Sequence, residues 1–175
     1  MKLQEAFRKV IENVNNGQRY DWYDVTSCNC GLLAQVILDR DCSQLGEMIE
    51  KDGILDCSYL ASIENCQVSG LSMHSIIQAL LDAGLSEKDL CEFEKLANPI
   101  IRKRAGLSLD TVSIIDYSLG GRELIVPCDF DNSNSLVAYL SAWIDLLDEQ
   151  EEIDRLTKME VAEMGVMGKP LFKGK

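Results

Sequence analysis

The chain has 175 residues, of which 46% are hydrophobic, and its 29 acidic and 17 basic residues give a net charge of −12. A chain of this length suits one domain, whose folding buries roughly 70% of the surface that the unfolded chain exposes. The negative charge repels phosphate backbones and anionic lipids, so we expect neither nucleic acid nor a membrane as a partner.

The sequence carries no clear signal for export or membrane insertion. No apolar run approaches the ~20 residues that a membrane helix needs, and the N-terminal residues lack the apolar segment of a secretory signal. The seven cysteines are an odd number, which favours reduced thiols over a disulfide framework. We therefore expect a cytoplasmic protein.

The first part of the chain predicts a series of helices. Apolar residues recur at helical spacing over 3–14, and Gly17 suits the end of that helix. A second helix, at roughly residues 30–39, is apolar on nearly every side, so we expect it to be central. A short helix is predicted over 44–51, and one or two further turns over 58–64.

Two more helices are marked by capping residues. Ser72 can cap a helix whose apolar stripe covers 73–81 and which ends at Gly84. Ser86 and Asp89 have the spacing of a capping box with a shorter acid. Each pattern predicts where a helix begins.

A further short helix is predicted after Asn98, with Pro99 at its first position. Ile100 and Ile101 are its expected buried pair. The cations at 102–104 suit the end of this helix, where they complement the helix dipole. They lack the interleaved aromatic residues of a site that stacks bases.

Residues 107–130 have an ambiguous pattern. The apolar residues of 112–115 suit a strand or a helix, and 124–127 is the best strand candidate, with Pro127 ending it or confining it to an edge. We expect a short helix followed by irregular or extended chain.

The strongest helix of the C-terminal half is predicted to begin at 131–134, which offers several capping side chains. Its apolar stripe is interrupted by the acidic run 148–152. Ile153 and Leu156 therefore cannot continue the same buried face without a bend or a rotation of the stripe.

These patterns predict a mainly α protein, a compact multi-helix bundle with little or no β-sheet. We expect a single helical domain over 1–164 and a loosely held tail over 165–175. The core should be formed by helical stripes that contain Phe7, Val10, Val14, Leu33, Val36, Ile37, Ile77, Leu80, Leu81, Leu140, Trp143 and Leu147.

Two thiols lie at the predicted start of the second helix, where the helix dipole favours a thiolate. Cys28 or Cys30 is thus a candidate nucleophile, with His74, the single histidine, as its base. His74 falls on the flank of its helix that carries Gln78 and Asp82, so we expect its imidazole to face water. We expect this pair to fail on geometry and the cysteines to be structural.

The aromatic residues Tyr20, Trp22 and Tyr23 precede the same helix. They are candidates for lining a small-ligand pocket. Aromatic residues between two amphipathic helices more often cover one end of the core. The second interpretation is the one that we favour.

Metal-binding signals are weak. Zinc sites have paired spacings, whereas here one Cys-x-Cys stands among thiols scattered singly. Asp129, Asp131 and Ser133 imitate the opening of a calcium loop, but Asn134 replaces its glycine and Leu140 its glutamate, so helix capping explains them better. We expect no metal, no cofactor and no disulfide between the two thiols of the Cys-x-Cys.

The Cys30-Gly31 start of an apolar helix, after an amphipathic helix and an aromatic, acidic linker, resembles a group of small uncharacterised bacterial proteins. In those proteins Cys-Gly-Thr is followed by a second cysteine and Ala or Gly within the helix. Ala34 matches, while Leu32 replaces the threonine and no second cysteine follows Gly31 in the helix. The resemblance covers about residues 3–40, implies a bacterial cytosolic protein and transfers no site residue.

The sequence contains no complete catalytic or binding constellation. It favours a non-enzymatic cytosolic bacterial protein that acts through protein–protein binding or self-association. One alternative is a thiol-dependent hydrolase or transferase that uses Cys28 or Cys30 with His74. Another is small-ligand binding near Tyr20, Trp22 and Tyr23.

Overall fold

The computed structural model describes residues 1–24, 26–52, 74–116 and 122–167. These residues form seven helices and one antiparallel β-hairpin, so the predicted mainly α bundle is confirmed. In chain order the elements are α1 (Leu3–Asn15), α2 (Asn29–Leu38), α3 (Cys42–Asp52), α4 (His74–Asp82), α5 (Glu87–Glu94), α6 (Pro99–Arg104), β1 (Thr111–Asp116), β2 (Arg122–Pro127) and α7 (Ser133–Met167).

The predicted caps place the helix starts correctly. The Ser86 hydroxyl accepts a hydrogen bond from the Asp89 N–H at 3.1 Å, and the Asp89 carboxylate accepts one from the Ser86 N–H at 2.9 Å. The Asn98 side chain accepts from the first turn of α6 at 3.0 and 3.1 Å. The expected turns over 58–64 and the expected cap at Ser72 lie outside the described residues.

Two expectations are wrong. Residues 112–115 do not form a helix but belong to β1, which pairs with β2 so that Val112 faces Val126 and Ile114 faces Leu124. Strand β2 ends at Pro127, as predicted. Ile100 is 67% exposed, whereas Ile101 is buried. The buried side of α6 carries Ile101 and Arg102. Ile100 lies on the opposite side, because consecutive residues are about 100° apart around a helix.

The core is centred on an aromatic cluster between α1, α5 and α7. The Trp143 ring lies 4.9 Å from Phe7, 5.7 Å from Phe93 and 5.9 Å from Tyr139, measured between ring centroids. Of the predicted core residues, the buried ones are Phe7, Val10, Leu33, Leu80, Leu140 and Trp143. The others pack partly buried against the same core: Val14, Val36, Ile37, Ile77, Leu81 and Leu147.

Arg102 is the least expected member of the interior, because the sequence places it in a cationic helix end. Its side chain is 1% exposed. It donates to the Leu96 carbonyl at 3.0 Å, to the Ser108 carbonyl at 2.7 Å and to Asp129 at 2.6 Å. Asp129 also accepts from Ser135 at 2.9 Å. Arg102 therefore joins α6, the chain before β1 and the start of α7.

Helix α7 is longer than the helices that pack against it. Helix α1 runs antiparallel to it, since Arg8 pairs with Asp148 at 2.7 Å and Lys2 pairs with Glu151 at 3.0 Å. Beyond Glu151, residues 152–167 extend about 24 Å at 1.5 Å per residue. We call residues 152–167 the arm. It includes the first residues of the predicted tail, whose remainder, 168–175, lies outside the described residues.

Candidate functional site

The two thiols at the start of α2 are part of the packed interior. Cys28 is 4% exposed and Cys30 is 8% exposed. The Cys28 sulfur caps α2 by accepting a hydrogen bond from the Gly31 N–H at 3.4 Å. The sulfur thereby satisfies one of the N–H groups that the first turn of a helix leaves without a backbone partner.

Neighbouring polar groups hold the start of α2 against the end of α5. The buried Asn29 amide donates to the Phe93 carbonyl at 3.0 Å and to the Glu94 carbonyl at 2.8 Å. The Trp22 indole donates to the same Glu94 carbonyl at 2.7 Å. In the described part of the chain, the Asn29 Oδ1 atom is buried with no hydrogen-bond partner. These contacts make the region a structural junction.

The loop before α2 is ordered by Asp24. Its carboxylate accepts from the Thr26 hydroxyl at 2.7 Å and from the Thr26 N–H at 3.0 Å. Partial burial by itself raises the pKa of Asp24, but the Thr26 hydrogen bonds and Arg19 outweigh it, so the pKa is lowered overall. Asp24 is thus an ionised structural anchor and lacks the raised pKa of a general acid.

The three linker aromatics have different surroundings. Trp22 is buried against Phe130, with ring centroids 4.5 Å apart, and the Tyr20 hydroxyl donates to the Phe130 carbonyl at 2.9 Å. Tyr23 is exposed and contacts Trp22 edge on. Trp22 therefore covers an end of the core. Small-ligand binding by the three aromatics stays a prediction.

The catalytic use of Cys28 or Cys30 with His74 remains a hypothesis. His74 begins α4, but its side chain lies outside the described residues, as do Cys57 and Cys66. No three His, Cys, Asp or Glu residues in the described ranges are grouped so as to hold a metal ion. The burial of both thiols limits their access to a substrate.

The accessible surface offers a different candidate, a groove between α6 and α7. It has a volume of about 640 Å³, and we call it the α6–α7 groove. Its apolar wall includes Ile100, Leu109 and Leu146, and Lys103 and Arg104 form its basic rim. Pro99 completes the lining. A solvent-accessible apolar groove with charged edges suits a peptide or protein segment.

The arm carries further exposed apolar side chains on the same side of α7 as the groove. Ile153 lies seven residues after Leu146 and therefore within about 20° of it around the helix. Ile153 is 56% exposed and Leu156 is 47% exposed, and Val161 is exposed on the same side. We call Ile153, Leu156 and Val161 the arm stripe. The stripe occupies roughly 140° of the helix surface.

The acidic run before the arm is neutralised within the chain. Glu149 forms an ion pair with Arg104, Asp148 pairs with Arg8 of α1, and Glu151 pairs with Lys2 just before α1. The hydrogen bonds from Arg104 hold the pKa of Glu149 below its usual value. The groove and the arm stripe are therefore separated by charges that are already paired.

Sequence reasoning missed the groove because it assigned Ile100 to the core. It did separate Ile153 and Leu156 from the buried face of α7. The signal in the sequence was the seven-residue spacing between Leu146 and Ile153, which places the groove and the arm stripe on the same side of α7.

The chain matches no protein-family model, no curated protein and no solved structure. Within the described residues, the helices are too short or too polar to cross a membrane.

Proposed function

We propose that this chain is a cytosolic, non-enzymatic protein that acts by binding a protein chain, either a second copy of itself or another protein. The observation that carries this proposal is the exposed arm stripe, which lies on the same side of α7 as Leu146 of the α6–α7 groove. Every arm side chain from Glu152 to Val161 is exposed.

An amphipathic helix that projects from a folded body gains stability by covering its apolar side. Ile153, Leu156 and Val161 are large apolar residues, and isolated helices of the arm's length are marginal in water. Binding a protein segment buries these side chains and orders the arm. The N-terminal resemblance supports a bacterial source, and the net charge of −12 favours a protein partner over nucleic acid or lipid.

Site-directed photo-crosslinking of the full chain in whole cells tests this proposal. A photo-reactive residue at Thr157 lies beside the arm stripe and leaves its apolar side chains intact. The matched control carries the same residue at Lys158, on another side of the helix. We expect protein adducts from position 157 and few from position 158. Equal labelling, or no adduct from position 157, contradicts the proposal.

A further inference from the structure

We infer that the chain forms a twofold dimer in which the arm of each copy lies in the α6–α7 groove of the other. This inference rests on the proposed function and names its partner. A twofold contact uses the same surface on both copies, so an arm that matches its own groove satisfies both halves at once.

The spacing along α7 is self-complementary. Leu146, in the groove, lies seven residues before Ile153, and Glu160, in the arm, lies seven residues after it. If two α7 helices cross antiparallel with Ile153 at the twofold axis, Glu160 of one copy comes opposite Leu146 of the other. The two Ile153 side chains then cover each other at the axis.

Charge complementarity selects this arrangement. Lys103 lies on the groove beside Leu146 and is exposed. Glu160 is also exposed, and neither residue has an ion-pair partner among the described residues. The antiparallel crossing brings Glu160 of one copy to the Lys103 rim of the other. An opposite-charge pair at an interface edge favours this register over others.

Repulsion at the centre of the dimer is already reduced. Of the acidic residues beside Ile153, Glu151 and Glu152 each have a cation from their own chain, Lys2 at 3.0 Å and Arg155 at 2.6 Å, and Asp154 accepts a hydrogen bond from the Gln150 amide at 2.8 Å. The arm therefore approaches a second copy with fewer unpaired negative charges than the acidic sequence suggests. Surface ion pairs of this kind weaken in salt, so the dimer should weaken in salt as well.

Sedimentation equilibrium of the purified full chain tests the inference. We expect a reversible dimer, and we expect Lys103→Glu or Glu160→Lys alone to raise its dissociation constant by about tenfold or more, because each places like charges in contact. The double variant Lys103→Glu, Glu160→Lys should restore the wild-type dissociation constant. Lys9→Glu and Lys158→Glu make the same charge change as Lys103→Glu, away from the interface, and should leave association unchanged.

A chain that stays monomeric at every concentration overturns the inference. So does a dimer that is insensitive to either substitution, or single variants that the double variant does not rescue. Circular dichroism shows whether each variant is folded, and both positions are exposed. Photo-crosslinking from position 157 to a different protein, with no dimer in purified material, would refute the twofold dimer and leave the proposed function intact.

Discussion

In its first half, α7 buries Leu136, Leu140 and Trp143 against the helical body, whereas every side chain from Glu151 to Val161 is exposed. The same continuous helix thus serves as a core element and as a projecting arm. The exposed run begins at Asp148, which pairs with Arg8 of α1, and it continues past Glu151, which pairs with Lys2 just before the start of α1. Burial along α7 therefore depends on how far the neighbouring helices extend beside it. Helix propensity does not decide burial, because both halves are helical.

The largest difference in the free energy of unfolding is expected between an arginine substitution in the body and one in the arm. Arg102→Ala leaves three acceptors, the Leu96 carbonyl, the Ser108 carbonyl and Asp129, without their buried hydrogen-bond donor. We therefore expect the free energy of unfolding to fall by roughly 3 to 5 kcal/mol. Arg155→Ala removes an exposed pair with Glu152 and should leave the urea midpoint unchanged. Urea denaturation measures both. Equal midpoints for the two variants would show that Arg102 is not an anchor.

The Arg102 network illustrates what sequence reasoning cannot reach. The residues that surround Arg102, from Leu96 to Asp129, are brought together only by the tertiary fold. The cationic run at the end of α6 has the same sequence pattern whether Arg102, its first residue, is exposed or buried. Strand β1 was assigned to a helix for a related reason, since its pairing with β2 decides between two local conformations.

Helix starts were predicted well because caps act within one turn. The Ser86 and Asp89 box and the Asn98 cap need only a spacing of two or three residues. The centrality of α2 also followed from its uniformly apolar sequence. The candidate interface was partly predictable, because Ile153 and Leu156 fall outside the buried stripe. The opposing groove depends on how α6 packs on α7, which short-range patterns do not specify.

Matched leucine substitutions provide a second comparison between body and arm. Leu140→Ala creates a cavity in the core, so we expect a loss of roughly 2 to 5 kcal/mol. Leu156→Ala, measured at a concentration where the chain is monomeric, should change stability by less than about 0.5 kcal/mol. Thermal unfolding followed by circular dichroism checks both values. A comparable loss for Leu156→Ala in the monomer would mean that the arm packs within its own chain.

The body should also respond to alkaline pH. Burial raises the pKa of Tyr139 above its usual 10.0, against the smaller lowering effect of the Asn98 N–H, and burial raises the pKa of Tyr20 as well. Above about pH 10 the unfolded chain loses these protons while the folded chain keeps them. The contribution of these two tyrosines to stability is therefore constant below that pH and falls above it.

Urea denaturation at about pH 9 and about pH 11 measures this decline. Tyr139→Phe should reduce the difference between the two midpoints, because phenylalanine has no proton to lose. Tyrosinate absorbance should show delayed ionisation of Tyr139 and Tyr20 in the folded chain. Ionisation of all tyrosines at their usual pKa before unfolding would contradict the burial of these hydroxyl groups.

The smallest expected effect concerns acid pH at the junction of body and arm. Hydrogen bonds to Arg104 lower the pKa of Glu149, and hydrogen bonds to Gln4 and Lys2 lower that of Glu151. The stabilisation from these exposed groups is present above their unfolded pKa and disappears as pH falls through the lowered value. Carboxyl NMR titration should give Glu149 and Glu151 midpoints below the usual glutamate value of 4.5. Midpoints at that usual value would show that the pairs do not persist in solution.

Hydrogen–deuterium exchange along α7, read at two protein concentrations, tests the central claim most directly. In the body, amides of residues 136–147 should be protected at both concentrations. In the arm, amides of residues 153–161 should exchange quickly in dilute protein and become protected in concentrated protein. The α6–α7 groove should gain protection in parallel. Arm amides that exchange at the same fast rate at both concentrations would contradict an arm that binds a second copy of the chain.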